Sequence, residues 1–222
     1  MTKKEKNVTQ LPYKKVSLWY KFWKRTFDIL LSGFLILLLL LPLFVIWLFV
    51  KISTKGGGIF LDNRVGKDNK NISVYKFRTM FIDAEKNVDK YLSPEQMRQW
   101  ETERKVDNDP RITKFGNLLR KTSLDELPQL FNILFGSMSF VGPRPITRSE
   151  LEQHFNEEEK RVLLSARPGL IGYWAVMGRS EIGFDRGRQD LELNYFKLRS
   201  LSFDLLLMFR VIPAVLKRKG AK

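Results

Sequence analysis

The sequence predicts an α+β chain, predominantly helical, in which a re-entrant (monotopic) N-terminal membrane helix-hairpin precedes one cytoplasmic domain with a small β-hairpin and amphipathic interfacial helices. Three observations lead there. One unbroken apolar run, Ile29 to Val50, is basic at both ends, with Lys21, Lys24 and Arg25 before it and Lys51 and Lys55 after it. Two apolar stretches flank the polar turn Gly66-Lys67-Asp68-Asn69-Lys70, and helix-start patterns recur at Ser93 and near Ser123.

At roughly 22 residues the apolar run is long enough to cross a bilayer. A crossing helix carries its Lys and Arg excess on the cytoplasmic side only, so two basic ends ask for the same side. Pro42 lies inside the run, where it removes a helical hydrogen bond and clashes with the preceding turn. Residues 24–52 therefore read as a re-entrant hairpin kinked at Pro42, with a kinked single-pass anchor as the plainer alternative; Ser32 and Gly33 also suit a helix packing surface. The spacing lets Lys24 and Arg25 meet lipid phosphates, and lets Asp28 pair with one of them to lower its cost of burial. Residues 1–23 mix Lys3, Lys4, Lys6, Lys14 and Lys15 with Tyr13, Trp19, Tyr20, Phe22 and Trp23, as in a segment at head-group level; a disordered tail before Leu18 fits equally. The run starts late and adjoins Asp28, unlike a cleaved signal peptide, so it is read as retained.

Lys and Arg number 39 against 24 acidic residues, a formal charge of +15, which attracts anionic lipids, phosphorylated substrates or nucleic acid. Nucleic acid ranks last, because the basic residues are mixed with acids and no recognition motif is present. With no cysteine and one histidine, disulfides, thiolate metal sites and histidine-rich zinc centres are excluded, so any metal must be held by oxygen.

After the flexible exit Lys55-Gly56-Gly57-Gly58, residues 53–222 are enough for one domain. Ile59-Phe60-Leu61 and Ile72 to Phe77 form the β-hairpin. Ser93-Pro94-Glu95-Gln96 supplies an N-cap, a proline at the first helical position and a reciprocal Gln, starting a helix toward Arg104 with Met97 and Trp100 on one face. Ser202 to Leu216, containing Asp204 and Arg210 and ending in Lys217-Arg218-Lys219, suits an interfacial helix or equally a core helix. His154, among Glu150, Glu152 and Glu157 to Glu159, reads as part of a solvated helix and not as a catalytic base.

Chemistry concentrates between Asp109 and Pro145. Asp125 and Glu126 follow Thr122-Ser123, and Ser123 with Glu126 fits a capping box, which puts both acids in the first turn of a helix; Pro128 favours a start nearer Asp125. The helix dipole alone favours acids there, so the pair by itself does not require catalysis. The surrounding cations Arg111, Lys114, Arg120, Lys121 and Arg144, the last held between Pro143 and Pro145, add the character of a phosphate site. A carboxylate beside a diphosphate needs such cations and a bridging divalent ion, and with oxygen ligands Mg²⁺ is the natural choice.

Lys24-Arg25 with Asp28 before a Pro-interrupted apolar run, Tyr75-Lys76-Phe77-Arg78-Thr79-Met80, Leu124-Asp125-Glu126-Leu127-Pro128-Gln129-Leu130, Gly142-Pro143-Arg144-Pro145 and Arg167-Pro168-Gly169 together resemble the bacterial sugar transferase family, the monotopic phosphoglycosyl transferases. The match runs from about Trp23 to Lys217 and is similar to the short, stand-alone form of these undecaprenyl-phosphate sugar phosphotransferases. The resemblance implies transfer of a sugar 1-phosphate from a UDP-sugar to polyprenyl phosphate at the cytoplasmic face of the bacterial inner membrane, with UMP leaving. Such a step opens capsule, exopolysaccharide or other glycoconjugate synthesis, and downstream glycosyltransferases are its implied partners. By the same resemblance Asp125 is the nucleophile, Glu126 assists Mg²⁺ at the dyad, and Lys76, Arg120 and Arg144, with Arg78, Arg111 and Arg179, face substrate phosphates.

The chain departs from the family after Pro168. Many members read Gly-Trp-Ala-Gln-Val-Asn-Gly-Arg where this chain reads Gly172-Tyr173-Trp174-Ala175-Val176-Met177-Gly178-Arg179, so Ala175 and Met177 cannot make the amide hydrogen bonds expected there. Glu192 and Tyr195 stand where a family Asp and Tyr often occur. Two other readings compete: a direct glycosyltransferase, which releases UDP, and a non-catalytic membrane scaffold, which leaves the Asp125-Glu126 and Arg144 pattern without a purpose.

Overall fold

The computed structural model describes residues 13–84, 86–103, 106–177 and 186–216. Expectations placed on Lys3, Lys4, Lys6, Arg104, Gly178, Arg179 and Lys217 to Lys219 lie outside the described residues. The chain is α+β and mostly helical. In order it runs α1 (Leu18–Leu38), α2 (Leu40–Thr54), β1 (Ile59–Val65), β2 (Asn71–Phe77), α3 (Val88–Tyr91), α4 (Pro94–Glu103), α5 (Lys114–Thr122), α6 (Gln129–Phe135), β3 (Ser139–Val141), α7 (Arg148–His154), α8 (Glu157–Leu163), β4 (Gly169–Ile171), α9 (Tyr173–Met177), α10 (Arg186–Leu198) and α11 (Leu201–Leu216). The β1–β2 hairpin is the one the alternation predicts. Helix α4 starts at the predicted cap, where Ser93 Oγ accepts from the Gln96 N–H and Gln96 Oε1 accepts from the Ser93 N–H, both at 3.2 Å.

The apolar run is two helices bent by 67° at Leu39, not one helix kinked at Pro42. Proline itself explains the displacement. Its ring collides with the carbonyl four residues back, here Leu38, so the break falls upstream while Pro42 rests in the first turn of α2, where no N–H is needed. The flanking ladder stays intact, with Leu39 N–H bonded to Leu35 O at 2.9 Å and Leu43 N–H to Leu39 O at 2.8 Å. Among the described residues no single helix is long and apolar enough to cross a membrane, whereas α1 and α2 together satisfy length and composition as a bent pair.

The described residues group into two compact units. The first comprises those up to Asp28, Asn63–Ile72 and Gly136–Ile212. In it β3 and β4 pair in parallel, Ser139 opposite Gly169 and Val141 opposite Ile171. Capping boxes start α7 at Thr147 with Glu150 and α8 at Asn156 with Glu159. The N-terminal half of α1 is tied in by buried acids. Asp28 accepts from Ser139 Oγ at 3.2 Å and from the Phe140 N–H at 3.1 Å. Lys24 does not take Asp28 as its ion-pair partner: its ammonium lies 2.8 Å from Asp204 on α11. Asp204 also accepts from the Tyr20 and Tyr195 hydroxyls, at 2.8 and 3.0 Å, so one carboxylate joins α1, α10 and α11. Helix α11 buries Asp204 and Leu207 and leaves Leu205, Leu206, Phe209 and Ile212 exposed, combining a core face with an uncovered apolar one.

The second unit comprises Ile29–Asp62, Ser73–Phe135 and the residues from Pro213. Its core is Leu43 and Val50 of α2, Phe77 of β2 and Leu119 of α5, with Ile46, Trp47, Phe115, Leu127 and Phe131 packed around them. Helix α2 is apolar all round, so burying one face leaves Leu41 and Ile52 about 70% exposed (71% and 68%). Buried Asn132 of α6 clamps β2, its Nδ2 donating to Ser73 O and its Oδ1 accepting from the Tyr75 N–H, both at 2.8 Å. Gly116 lets α5 approach the segment after β2 so closely that a Cβ there would stand 2.1 Å from the Thr79 carbonyl oxygen. The obstacle is backbone and cannot swing aside, so Gly116→Ala is expected to destabilise the protein by about 2–3 kcal/mol. Thermal unfolding in detergent should show a midpoint lowered by roughly 5–10 °C.

Candidate active site

The acidic pair sits where one helix stops and the chain reverses. Ser123 closes α5 in a left-handed conformation (φ 58°, ψ 17°), its N–H returned to the carbonyls of Arg120 and Leu119. The next three residues, Leu124–Glu126, form one 3₁₀ turn, and α6 begins only at Gln129, directly after Pro128. Asp125 and Glu126 are thus not in the first turn of an α-helix, and the Ser123 side chain caps nothing. A residue committed to a left-handed C-cap cannot also take the extended geometry of an N-cap.

Both carboxylates of this turn are half-buried, and among the described residues neither accepts a hydrogen bond from another side chain. Burial pushes the Asp125 carboxyl up to about 6, and the neighbouring Glu126 charge adds to it, while Lys76 and Arg120 act in the opposite direction. Those two cations are placed by their own partners. Lys76 on β2 reaches Asp62 on β1 at 2.8 Å, and Arg120 Nε donates to Thr79 Oγ1 at 2.9 Å. Burial also lowers the Arg120 guanidinium from its ordinary value, and Asp125 is the largest influence holding it up.

The remaining sequence-predicted cations have other surroundings. Arg78 donates through Nε to the Gly57 carbonyl at 2.9 Å and lies over the Phe60 ring. Arg111 is buried, 5% exposed, and forks onto Asp109 through Nε at 2.9 Å and Nη2 at 2.7 Å, directed at a carboxylate and not at an open site. Arg144 belongs to the first unit, where its N–H donates to Glu192 Oε2 at 3.1 Å. Arg179 lies outside the described residues.

The donor set fits Mg²⁺. Asp125 and Glu126 offer adjacent hard oxygens whose mutual repulsion a divalent cation relieves, and no third His, Cys, Asp or Glu joins them among the described residues. Two carboxylates, with the rest of the shell left to phosphate and water oxygens, is the arrangement this ion favours beside phosphorylated substrates.

The sequence pattern of the bacterial sugar transferases matches residues 19–218. The undecaprenyl-phosphate galactose phosphotransferase of Salmonella typhimurium is 42% identical over 204 residues, covering 90% of this chain and 42% of that protein. The exopolysaccharide production protein ExoY of Sinorhizobium fredii is 39% identical over 201 residues, covering 89% of this chain and 87% of its own length. The UDP-glucose:undecaprenyl-phosphate glucose-1-phosphate transferase of Escherichia coli K12 is 37% identical over 194 residues, covering 85% of this chain and 39% of that protein. The chain belongs to the bacterial sugar transferase family. It spans about two fifths of the Salmonella and Escherichia relatives and most of ExoY.

In this family member the structure also brings forward residues that the sequence reading passed over. Asp62, Thr79 and Asn132 place Lys76 and Arg120; the one available signal was an acid and a base on opposite strands of a predicted hairpin. Tyr173 to Met177 is the short helix α9, and the centre of its Trp174 ring lies 4.5 Å from the Arg188 guanidinium and 5.9 Å from that of Arg144. His154 is half-buried at the end of α7 and lines a cleft instead of facing solvent alone.

The folded protein holds the Asp125 proton more tightly than the unfolded chain does, because the folded value of about 6 exceeds the ordinary 3.8. The charged carboxylate therefore costs stability above pH 6 and not below pH 4. Asp125→Asn is expected to stabilise the protein at pH 8 by about 1–3 kcal/mol, with the gain fading toward pH 4. Thermal unfolding of both proteins across that pH range measures it.

Proposed function

We propose that the chain transfers a sugar 1-phosphate from a UDP-sugar to polyprenyl (undecaprenyl) phosphate, releasing UMP through a covalent Asp125-phosphosugar intermediate. The observation that carries this reading is the Asp125-Glu126 turn, two carboxylates with no side-chain hydrogen-bond partner among the described residues and in the field of Lys76 and Arg120, in a member of a family whose relatives are called undecaprenyl-phosphate sugar phosphotransferases.

A carboxylate oxygen of Asp125 attacks the sugar-bearing phosphorus, a P–O bond to that phosphorus forms, and the bond to UMP breaks, its electrons leaving on the nucleotide. An oxygen of polyprenyl phosphate then attacks the same phosphorus and the Asp125 carboxylate leaves unchanged. Asp125 must be ionised for the first step, and Lys76 and Arg120 make an anionic nucleophile tolerable beside phosphate oxygens. Mg²⁺ held by Asp125 and Glu126 would supply charge neutralisation on the reacting phosphate.

The location follows from the same reading. A polyprenol keeps its phosphate at the interface, so the site has to lie there, and the bent pair α1–α2 with basic residues at both ends suits a helix that enters and leaves by the cytoplasmic face of the bacterial inner membrane. Relatives called ExoY and galactosyl transferase CpsE support a place in exopolysaccharide or capsule synthesis.

Purified protein with Mg²⁺, polyprenyl phosphate and a panel of UDP-sugars is expected to release UMP with at least one donor. Asp125→Asn should reduce the rate by roughly 10³-fold or more. Release of UDP would select a direct glycosyl transfer, and an undiminished Asp125→Asn would remove the covalent step. In cells, labels at the two termini should be reached from the same membrane face; opposite faces would replace the hairpin with a span.

A further inference from the structure

Strand β3 runs directly into Gly142-Pro143-Arg144, so whatever fixes this strand also fixes the backbone that bears Arg144. One edge of the strand is taken by β4. The Ser139 N–H donates to Pro168 O at 2.9 Å and the Gly142 N–H to Ile171 O at 3.2 Å, while Gly169 returns its N–H to Pro143 O at 2.8 Å. Successive residues of a strand turn their N–H groups to opposite edges, so that of Phe140 points away from β4, where no third strand joins the pair among the described residues. Phe140 is buried, and a buried N–H left unmet is costly. Asp28 of α1 supplies what a neighbouring strand would. Its Oδ1 accepts from the Phe140 N–H at 3.1 Å and from the Ser139 hydroxyl at 3.2 Å, and the residue is only 2% exposed. Phe27 adds a T-shaped ring contact on Phe140, centroids 6.4 Å apart.

Little slack remains between Phe140 and Arg144. A Cβ on Gly142 would lie 2.4 Å from Arg167 O, and one on Gly169 would lie 2.1 Å from the Gly142 nitrogen, so backbone is closely packed against backbone on both strands. At the far end of the segment the Arg144 N–H donates to buried Glu192 at 3.1 Å. A displacement of Phe140 is therefore passed along the segment, because a close-packed interior does not absorb it.

We infer that Asp28 is a positioning residue for Arg144: a carboxylate on α1, immediately before the apolar run, aims this arginine through the Phe140 backbone without touching substrate. That Arg144 meets a substrate phosphate rests on the transferase reading above. A guanidinium fork matches phosphate oxygens only at a defined angle, so the backbone beneath it has to be held.

The test is a double-mutant cycle on the full-length protein in detergent, reading kcat/KM for UMP release from the donor that wild type uses. Asp28→Leu, which fills the space and accepts no hydrogen bond, is expected to lower kcat/KM by about tenfold, and Asp28→Asn, which keeps an acceptor oxygen, to recover most of that loss. In an Arg144→Lys background, where the fork is already gone, Asp28→Leu should cost less than about threefold. No loss, or the same loss in both backgrounds, overturns the inference, because a merely structural acid acts independently of Arg144. Near-UV circular dichroism checks folding. If Asp28→Leu is not folded, Asp28→Glu, which keeps the charge and displaces the carboxylate by one methylene, takes its place in the cycle under the same criterion. Amide hydrogen exchange reads the link without catalysis: peptides covering Phe140 to Arg144 should exchange about tenfold faster in Asp28→Leu and near the wild-type rate in Asp28→Asn, and unchanged exchange in Asp28→Leu overturns the link. If wild type releases no nucleotide from any donor while exchange responds in this way, the transferase reading fails and the hold of Asp28 on the Arg144 segment stands.

Discussion

Two carboxylates held side by side on a single turn repel one another, and the second unit is arranged around that repulsion. The 3₁₀ turn Leu124–Glu126 gives them no side-chain partner of their own. Charge is offset from outside the turn, by Lys76 on β2 and Arg120 on α5, and each is fixed by a further contact, Asp62 for one and Thr79 for the other. Asn132 then fastens β2 to the helix that follows the turn. A chain of short contacts thus places the cations without consuming the acids. An acid bound to a structural lysine would be a poor nucleophile, so leaving the pair unpartnered has a chemical use.

Buried charge in the first unit is treated in the opposite way. Asp204 is satisfied by Lys24, Tyr20 and Tyr195, and Asp28 by Ser139 and the Phe140 N–H. These carboxylates fasten helices, as expected of acids that must be paired to be buried cheaply. Arg111 and Asp109, two residues apart in one turn of the second unit, are likewise buried as a pair. Glu192 differs from them, because it accepts from the Arg144 N–H while its buried Oε1 has no hydrogen-bond partner among the described residues.

The exposed apolar surface follows a separate constraint. Leu37 at 75% and Leu41 at 71% in the second unit, and Phe209 at 69% in the first, are large apolar side chains left open. A helix that is apolar all round can bury only one face in a protein of this size, and the remaining faces of α1, α2 and α11 suit hydrocarbon.

Much was legible in the sequence because it depends on neighbours along the chain. The hairpin followed from alternation around a polar turn, α4 from its capping pattern, and the family from residue types in fixed order between Leu124 and Pro145. The bend was also written there, though proline acts on the carbonyl four residues back, which moved it to Leu39. The acids at Asp125 and Glu126 were visible, but the turn holding them was not, because Ser123 fits an N-cap and a C-cap equally until the preceding helix claims it. The partners of Lys24 and Lys76, and the meeting of Trp174 with Arg188 and Arg144, depended on tertiary structure. Which charge satisfies which is decided by desolvation across segments distant in sequence, and residue spacing carries no information about that.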